Sequence, residues 1–311
     1  MTELKTSNGL AKVWTVIKKL GKKLFKKKPT VFSVVCACFL WIFSLSLLFL
    51  FAYAFVNSFK SMSDFMWNPV GMPEKWETEN CIHVLNYFRY QEKAHAPFYY
   101  IEDMIGFTLL YCFGCTLANL TIVTVTAYVT ARFDYKFSGV VYTIVLVTMS
   151  LPLVGSQASE LHVVKTLNLY NTFIGSFVLK ANFLSLYYMV FHATFKGVGK
   201  SYSEAAEIDG AGNLRIFISI MLPLVKNTLM TIGLIYFIQY WNDYQTPLLY
   251  LPAYPTIALG LYQFKGSTIP DIASPTIKLG ASILVFLPIF IVFLIFQNRI
   301  IGNVSIGGVK E

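Results

Sequence analysis

Six apolar stretches, each long enough to cross a lipid bilayer, constrain this 311-residue chain more than any other feature. A membrane-spanning helix needs about 20 mostly apolar residues. The six stretches that meet this length lie at 31–56, 105–130, 139–157, 170–192, 222–241 and 277–296. We therefore predict an all-α membrane protein with six transmembrane helices.

The composition excludes the main classes of soluble protein. Only 13% of the residues are charged and 56% are apolar, whereas soluble domains carry about 25% charged residues. A soluble enzyme, a disordered protein and a secreted disulfide scaffold are excluded on this ground. The five cysteines are an odd number and form no paired C-x-x-C zinc pattern. The sequence therefore predicts no metal site and no catalytic residues.

The distribution of Lys and Arg predicts the orientation of the six spans. Segments that face the cytoplasm carry an excess of these residues. With the N-terminus inside, the inner segments hold 16 basic residues and the outer segments hold 7. Because six spans return the chain to its starting side, both termini are predicted to be cytoplasmic.

The N-terminal segment 1–30 is the most basic part of the chain. It holds nine lysines and a single acid, Glu3. We interpret it as an amphipathic segment along the inner membrane surface, attracted to anionic lipid. A disordered tether is the alternative, and nucleic-acid binding is not expected. The remaining residues, 31–311, form the predicted transmembrane domain.

A predicted cytoplasmic loop at 200–216 has the composition of a short helix followed by a break. Ala205 and Ala206 are strong helix formers. Gly210 or Gly212 is placed to end that helix, as a glycine does after the last helical turn. Small side chains on such a helix allow another protein surface to approach closely.

The same loop carries a spaced motif that is specific to one protein family. It reads Glu-Ala-Ala, three residues, Gly, nine residues, then Ile-x-Leu-Pro. Its fixed positions are Glu204, Ala205, Ala206, Gly210, Ile220, Leu222 and Pro223. The motif is similar to the signature of permease subunits of binding-protein-dependent ABC importers. Further stretches, such as Trp241-Asn242-Asp243-Tyr244, resemble the carbohydrate branch and its maltose-system G-type permeases.

This resemblance, which covers about residues 31–310, implies a type I importer architecture and a coupling role for the loop. In that family the loop docks into a cleft on the ATP-hydrolysing subunit. Glu204 and Asp209 are then expected to make polar contacts at this joint. Ala205 and Ala206 are expected to allow close approach, and Gly210 to form the bend.

The resemblance also implies the partners and the location of the chain. The partners are a second homologous permease, two ABC ATPase subunits, an extracytoplasmic solute-binding protein and membrane lipid. Gly199-Lys200-Ser201 follows a predicted span rather than a strand, so it is not expected to bind ATP. We therefore expect no cofactor on this chain, ATP and Mg on the ATPase subunits, and a multi-pass position in a bacterial plasma membrane.

Several polar and aromatic residues are candidates for a substrate path. Amides and aromatic rings are the groups that bind sugars. The candidates are Asn119, Tyr128, Lys180, Asn182, Tyr187, Trp241, Asn242, Asp243 and Tyr244. Lys180 is the one ionisable residue well inside a predicted span, and such a charge indicates a functional site. The alternative for Lys180 is that its side chain snorkels towards the membrane surface. The alternative for the other candidates is a role in helix packing.

The sequence thus predicts an ABC importer permease for an oligosaccharide or a related sugar. A permease for a non-sugar solute, such as a peptide or a polyol, has the same coupling loop and stays open. An ion-coupled secondary transporter is less favoured, because no predicted span holds a carboxylate in its interior.

Overall fold

The computed structural model describes residues 30–304, apart from 93–94, 134 and 152–154. The predicted amphipathic segment at 1–30 therefore lies almost entirely outside the described residues. The helix α1 (Val31–Ser58) supplies one compact unit, which ends at Val56, and the residues from Asn57 onward form a second.

The second unit begins with short elements before its longest helix. These are α2 (Met62–Trp67), α3 (Glu79–Tyr87), and the strands β1 (Arg89–Tyr90) and β2 (Tyr99–Tyr100). The strands pair antiparallel, with Arg89 opposite Tyr100.

The helix α4 (Ile101–Arg132) lies at the centre of this unit. The elements after it are α5 (Ser138–Ser150), α6 (Gln157–Thr166), α7 (Phe173–Lys180) and α8 (Leu186–Gly197). Buried residues recur along α4 from Met104 to Thr130. The helix packs against α7 and α8 as well as against a later helix at Lys226–Trp241.

The polar loop and the C-terminal part consist of shorter helices followed by one long helix. They are α9 (Ser201–Ile208), α10 (Asn213–Ile216), a π-helix (Phe217–Met221), α11 (Leu222–Leu224), α12 (Lys226–Trp241), α13 (Gln245–Tyr250), α14 (Ile257–Gly266), α15 (Pro270–Ala273) and α16 (Pro275–Val304). The last helix packs against α3, α12 and α14.

Three described helices are long and apolar enough to cross a membrane: α1, α4 and α16. A fourth span results if the segments Asn213–Leu224 and Lys226–Trp241, bent by 80°, are counted as one. The chain is thus mostly helical, as predicted, while the count of six spans stays a prediction.

The predicted span at 170–192 is not one helix. It is divided into α7 and α8 by residues 181–185. The Asn182 side chain accepts a hydrogen bond from the Leu184 backbone N–H at 2.8 Å. Such local side-chain bonds compete with the helical ladder, which explains why an apolar stretch of this length is interrupted here.

Candidate functional site

The polar loop folds as the sequence predicts, with a glycine-dependent turn after α9. The Gly210 N–H donates to the Glu207 carbonyl at 3.0 Å, and the Ala211 N–H donates to the Ala206 carbonyl at 2.9 Å. These two bonds form a Schellman motif. Gly210 has φ +77°, a conformation that strains a residue with a Cβ atom. The bend at Gly210 is therefore a backbone requirement.

The side chains of the loop divide into an inner and an outer set. Ala206 is buried in this chain's own core, whereas Glu204, Ala205 and Asp209 are exposed. Two large apolar side chains are also exposed: Ile208 at 87% and Leu214 at 71%. The small residue at 206 thus serves close packing within the chain, and the exposed surface combines polar and apolar groups.

The base of the loop is tied to the central helix. The Arg132 guanidinium, at the end of α4, donates to the Val198 carbonyl at 2.8 Å. Beyond the loop, Ile220 lies in the π-helix, while Leu222 and Pro223 form the following turn. Proline lacks the N–H that a helix interior needs, and the helix axis bends by 80° just after it.

A second group of predicted site residues meets where α7 and α12 end. The Lys180 Nζ lies 3.0 Å from the Asp243 Oδ2. It also lies 5.7 Å from the centre of the Tyr240 ring, within the range of a cation–π interaction. The Asn119 Nδ2, on α4, donates to the Tyr240 hydroxyl at 2.7 Å. Three separate helices thus bring Asn119, Lys180 and Asp243 together.

Asp243 has further partners besides Lys180. The Tyr111 hydroxyl donates to its Oδ2 at 2.9 Å, and the Thr246 hydroxyl and N–H donate at 2.6 Å and 3.0 Å. Burial raises the pKa of this carboxyl, but the Lys180 ammonium and the bonds from Thr246 outweigh burial and hold the pKa below its ordinary value. Asp243 is therefore ionised at neutral pH.

These residues line an open cleft of about 770 Å³. That volume lies within the range of pockets for small ligands. The cleft is lined by Asn119, Lys180, Asn182 and Asp243 of the predicted set, together with residues from α6 and α13. The Oδ1 atom of Asn119 is buried and has no hydrogen-bond partner among the described residues.

The structure does not bring the other candidates to the wall of this cleft. Trp241 is buried and donates from its indole N–H to the Val285 carbonyl at 3.2 Å. The exposed Asn242 side chain donates to its own helix at Ile238. Tyr244 stacks on Tyr262 at 4.6 Å. Trp241 thus packs within the chain, and a role of Trp241, Asn242 and Tyr244 in a substrate path stays a prediction.

The two remaining candidates belong to aromatic clusters. Tyr187 packs edge-on against Tyr236 at 4.8 Å, and Tyr236 itself lines the cleft. Tyr128 packs against Phe195 and Phe217, near the base of the polar loop. Tyr187 therefore supports a wall of the cleft, while Tyr128 links α4 to the π-helix.

Sequence reasoning missed several residues of the cleft. Tyr236 and Tyr240 are four positions apart, which places them on one face of α12, and Asp243 follows two residues after the end of that helix. That spacing was a usable signal. Gln157 and Glu160 on α6 carried no such signal, since they lie far from Asp243 along the sequence.

Within residues 30–304, apart from the gaps stated above, no group of three or more His, Cys, Asp or Glu side chains could hold a metal ion. The cleft instead offers amide, hydroxyl and charged groups, which suit a ligand rich in hydroxyl groups.

Comparisons with known proteins identify similar chains over most of the length. No protein-family model matches. The diacetylchitobiose uptake system permease protein NgcG of Streptomyces coelicolor is 24% identical over 279 residues, which are 89% of this chain and 88% of that protein. The melibiose/raffinose/stachyose import permease protein MelC of Bacillus subtilis is 29% identical over 76% of this chain and 84% of that protein.

A solved structure shares the fold. It is a bacterial ABC transporter involved in the import of the acidic polysaccharide alginate, with a TM-score of 0.72 and 22% sequence identity. The match covers 87% of this chain and 99% of that chain. Together these similarities confirm the resemblance found in the sequence.

Proposed function

We propose that this chain, which resembles the permease subunits of carbohydrate ABC importers, forms half of a translocation path for an oligosaccharide or a related sugar. The observation that carries the proposal is the similarity of nearly the whole chain to permeases named for sugar uptake. We expect this chain to act as a transport subunit without a catalytic group of its own. ATP and Mg are expected on partner subunits.

The proposed topology has six spans, with both termini in the cytoplasm of a bacterial cell. The helices α1, α4 and α16 supply three spans, and the bent pair that ends in α12 supplies another. The helix α5 and the interrupted pair α7 and α8 account for the remaining two. The excess of Lys and Arg in the segments assigned to the inside supports this orientation.

The loop from α9 to α10 is the proposed joint with the ATPase subunits. Its Ile208 and Leu214 side chains are apolar and exposed, so in the absence of a partner protein they are surrounded by water. Glu204 and Asp209 provide exposed charges beside them. This combination fits a protein cleft with an apolar floor and a polar rim.

Movement of the joint requires the other members of the assembly. We infer a second homologous permease across the path, two ABC ATPase subunits at the loops, and a solute-binding protein outside. Closure of the ATPase subunits would move the loop and, through α12, the cleft around Lys180 and Asp243.

Uptake measurements test this proposal directly. Cells with and without the gene would be given labelled neutral oligosaccharides, peptides and polyols, with and without ATP depletion. We expect the deletion to abolish ATP-dependent uptake of one sugar class, and the wild-type gene to restore that uptake. Loss of peptide or polyol uptake alone would refute the sugar assignment. Uptake driven by an ion gradient and indifferent to ATP would refute the importer assignment.

A further inference from the structure

The cleft is rich in amide side chains. Five amide residues line it, from four helices and one connecting loop: Asn119, Gln157, Asn182, Gln239 and Gln245. Each amide can donate and accept hydrogen bonds, which matches the paired donor and acceptor character of a sugar hydroxyl. The Oδ1 atom of Asn119 is buried and has no hydrogen-bond partner in the described part of the chain.

The charges of the cleft are two carboxylates and one ammonium. Lys180 neutralises Asp243 at 3.0 Å. Glu160, on α6, accepts a hydrogen bond from the Tyr250 hydroxyl at 3.2 Å. Among the described residues no cation forms an ion pair with Glu160. The cleft therefore keeps a net negative charge, located at Glu160.

We propose that this cleft is a sugar subsite of the chain itself and that Glu160 makes it selective for uncharged oligosaccharides. The amides bind the hydroxyl groups, and the Glu160 carboxylate accepts from them as well. A sugar that carries its own carboxylate meets an unpaired charge of the same sign, which weakens its binding. The proposal rests on the proposed function and adds the class of substrate to it.

Direct binding separates this subsite from the selectivity of any solute-binding protein. The purified complete transporter, in lipid nanodiscs and without binding protein, would be titrated with labelled maltotriose, raffinose, diacetylchitobiose and digalacturonate. For the wild type we expect measurable affinity for at least one neutral sugar and at least about tenfold weaker binding of digalacturonate, a difference of about 1.4 kcal/mol.

Two variants and a control identify the responsible groups. Glu160→Gln keeps the acceptor for Tyr250 and removes the charge, so it should bring digalacturonate to within about twofold of the neutral sugar. Gln239→Leu should weaken the neutral sugar several-fold. Glu79→Gln removes an exposed carboxylate that does not line the cleft and should change neither affinity. Size-exclusion chromatography would establish that each variant assembles.

The outcomes distinguish this inference from the proposed function. If no neutral sugar binds the wild-type complex, or if Glu160→Gln leaves the discrimination unchanged, the subsite is refuted. ATP-dependent sugar uptake by cells would still support the permease assignment in either case. If uptake itself fails for every sugar, the proposed function is refuted first.

Discussion

The turn at Gly210 provides the sharpest test of how the polar loop works. Its φ of +77° lies in the left-handed region, and a Cβ atom in that region costs about 1–2 kcal/mol. No neighbouring atom lies within 4 Å of the position that a Cβ would take at Gly210. The penalty of Gly210→Ala therefore comes from its own backbone conformation and not from a clash with other residues.

This penalty can be converted to a population of formed turns. A change of about 1–2 kcal/mol shifts a two-state equilibrium by about 5–30-fold. If the formed turn is the conformation that docks, we expect Gly210→Ala to reduce ATP-dependent uptake several-fold at an unchanged level of protein in the membrane. Gly210→Asn should lose less, because Asn tolerates the left-handed conformation.

The neighbouring Gly212 provides a matched control. It has φ −72° and ψ 159°, which any residue adopts, and its Cβ position is equally open. Gly212→Ala should keep uptake within about twofold of the wild type. Labelled-sugar uptake and immunoblots of the membrane fraction would measure all three variants. Equal losses for Gly210→Ala and Gly212→Ala would refute the reasoning from backbone conformation.

Three further predictions concern the loop, the ion pair and a close backbone approach. Ile208→Glu should abolish sugar-stimulated ATP hydrolysis by the purified complex while the chain still reaches the membrane, since its side chain is 87% exposed; unchanged hydrolysis would contradict docking there. Lys180→Met and Asp243→Asn should each lower thermal stability by about 2 kcal/mol, while the double variant loses clearly less than both singles combined; additive losses would argue against the pair. Gly175→Ala should destabilise by about 1–3 kcal/mol, because its Cβ would clash with the Leu169 carbonyl oxygen, whereas Gly106→Ala, in open space within a helix, should not; equal melting temperatures would contradict this.

The sequence predicted the long helices and the loop well because both depend on local patterns. The stretches at 31–56 and 105–130 become α1 and α4 with only a few added residues at their ends. The helix at Ala205 and the bend at Gly210 follow from helix propensity and from the freedom of glycine. Neither requires knowledge of distant parts of the chain.

Other features depend on local bonds or on distant partners that hydropathy does not register. At the interruption at 181–185, the Asn182 side chain accepts a hydrogen bond from the Leu184 N–H. A hydropathy average over about 20 residues conceals such a local bond. The meeting of Lys180 with Asp243 joins residues 63 positions apart. It follows only once α4, α7 and α12 are packed together.

The helix α12 connects the polar loop with the cleft around Lys180 and Asp243. Its 16 residues span about 24 Å at 1.5 Å per residue. One end follows the π-helix and Pro223, and Asp243 lies two residues beyond the other end, after Asn242. Because a helix of this length is stiff, a shift of the loop that is passed on beyond Val225 displaces Asp243 relative to Lys180, which belongs to a different helix. If the loop moves as proposed, the ion pair is placed to break or re-form. Its removal should then lower the stimulation of ATP hydrolysis by sugar, measured on the purified complex, more than it lowers sugar binding or basal hydrolysis.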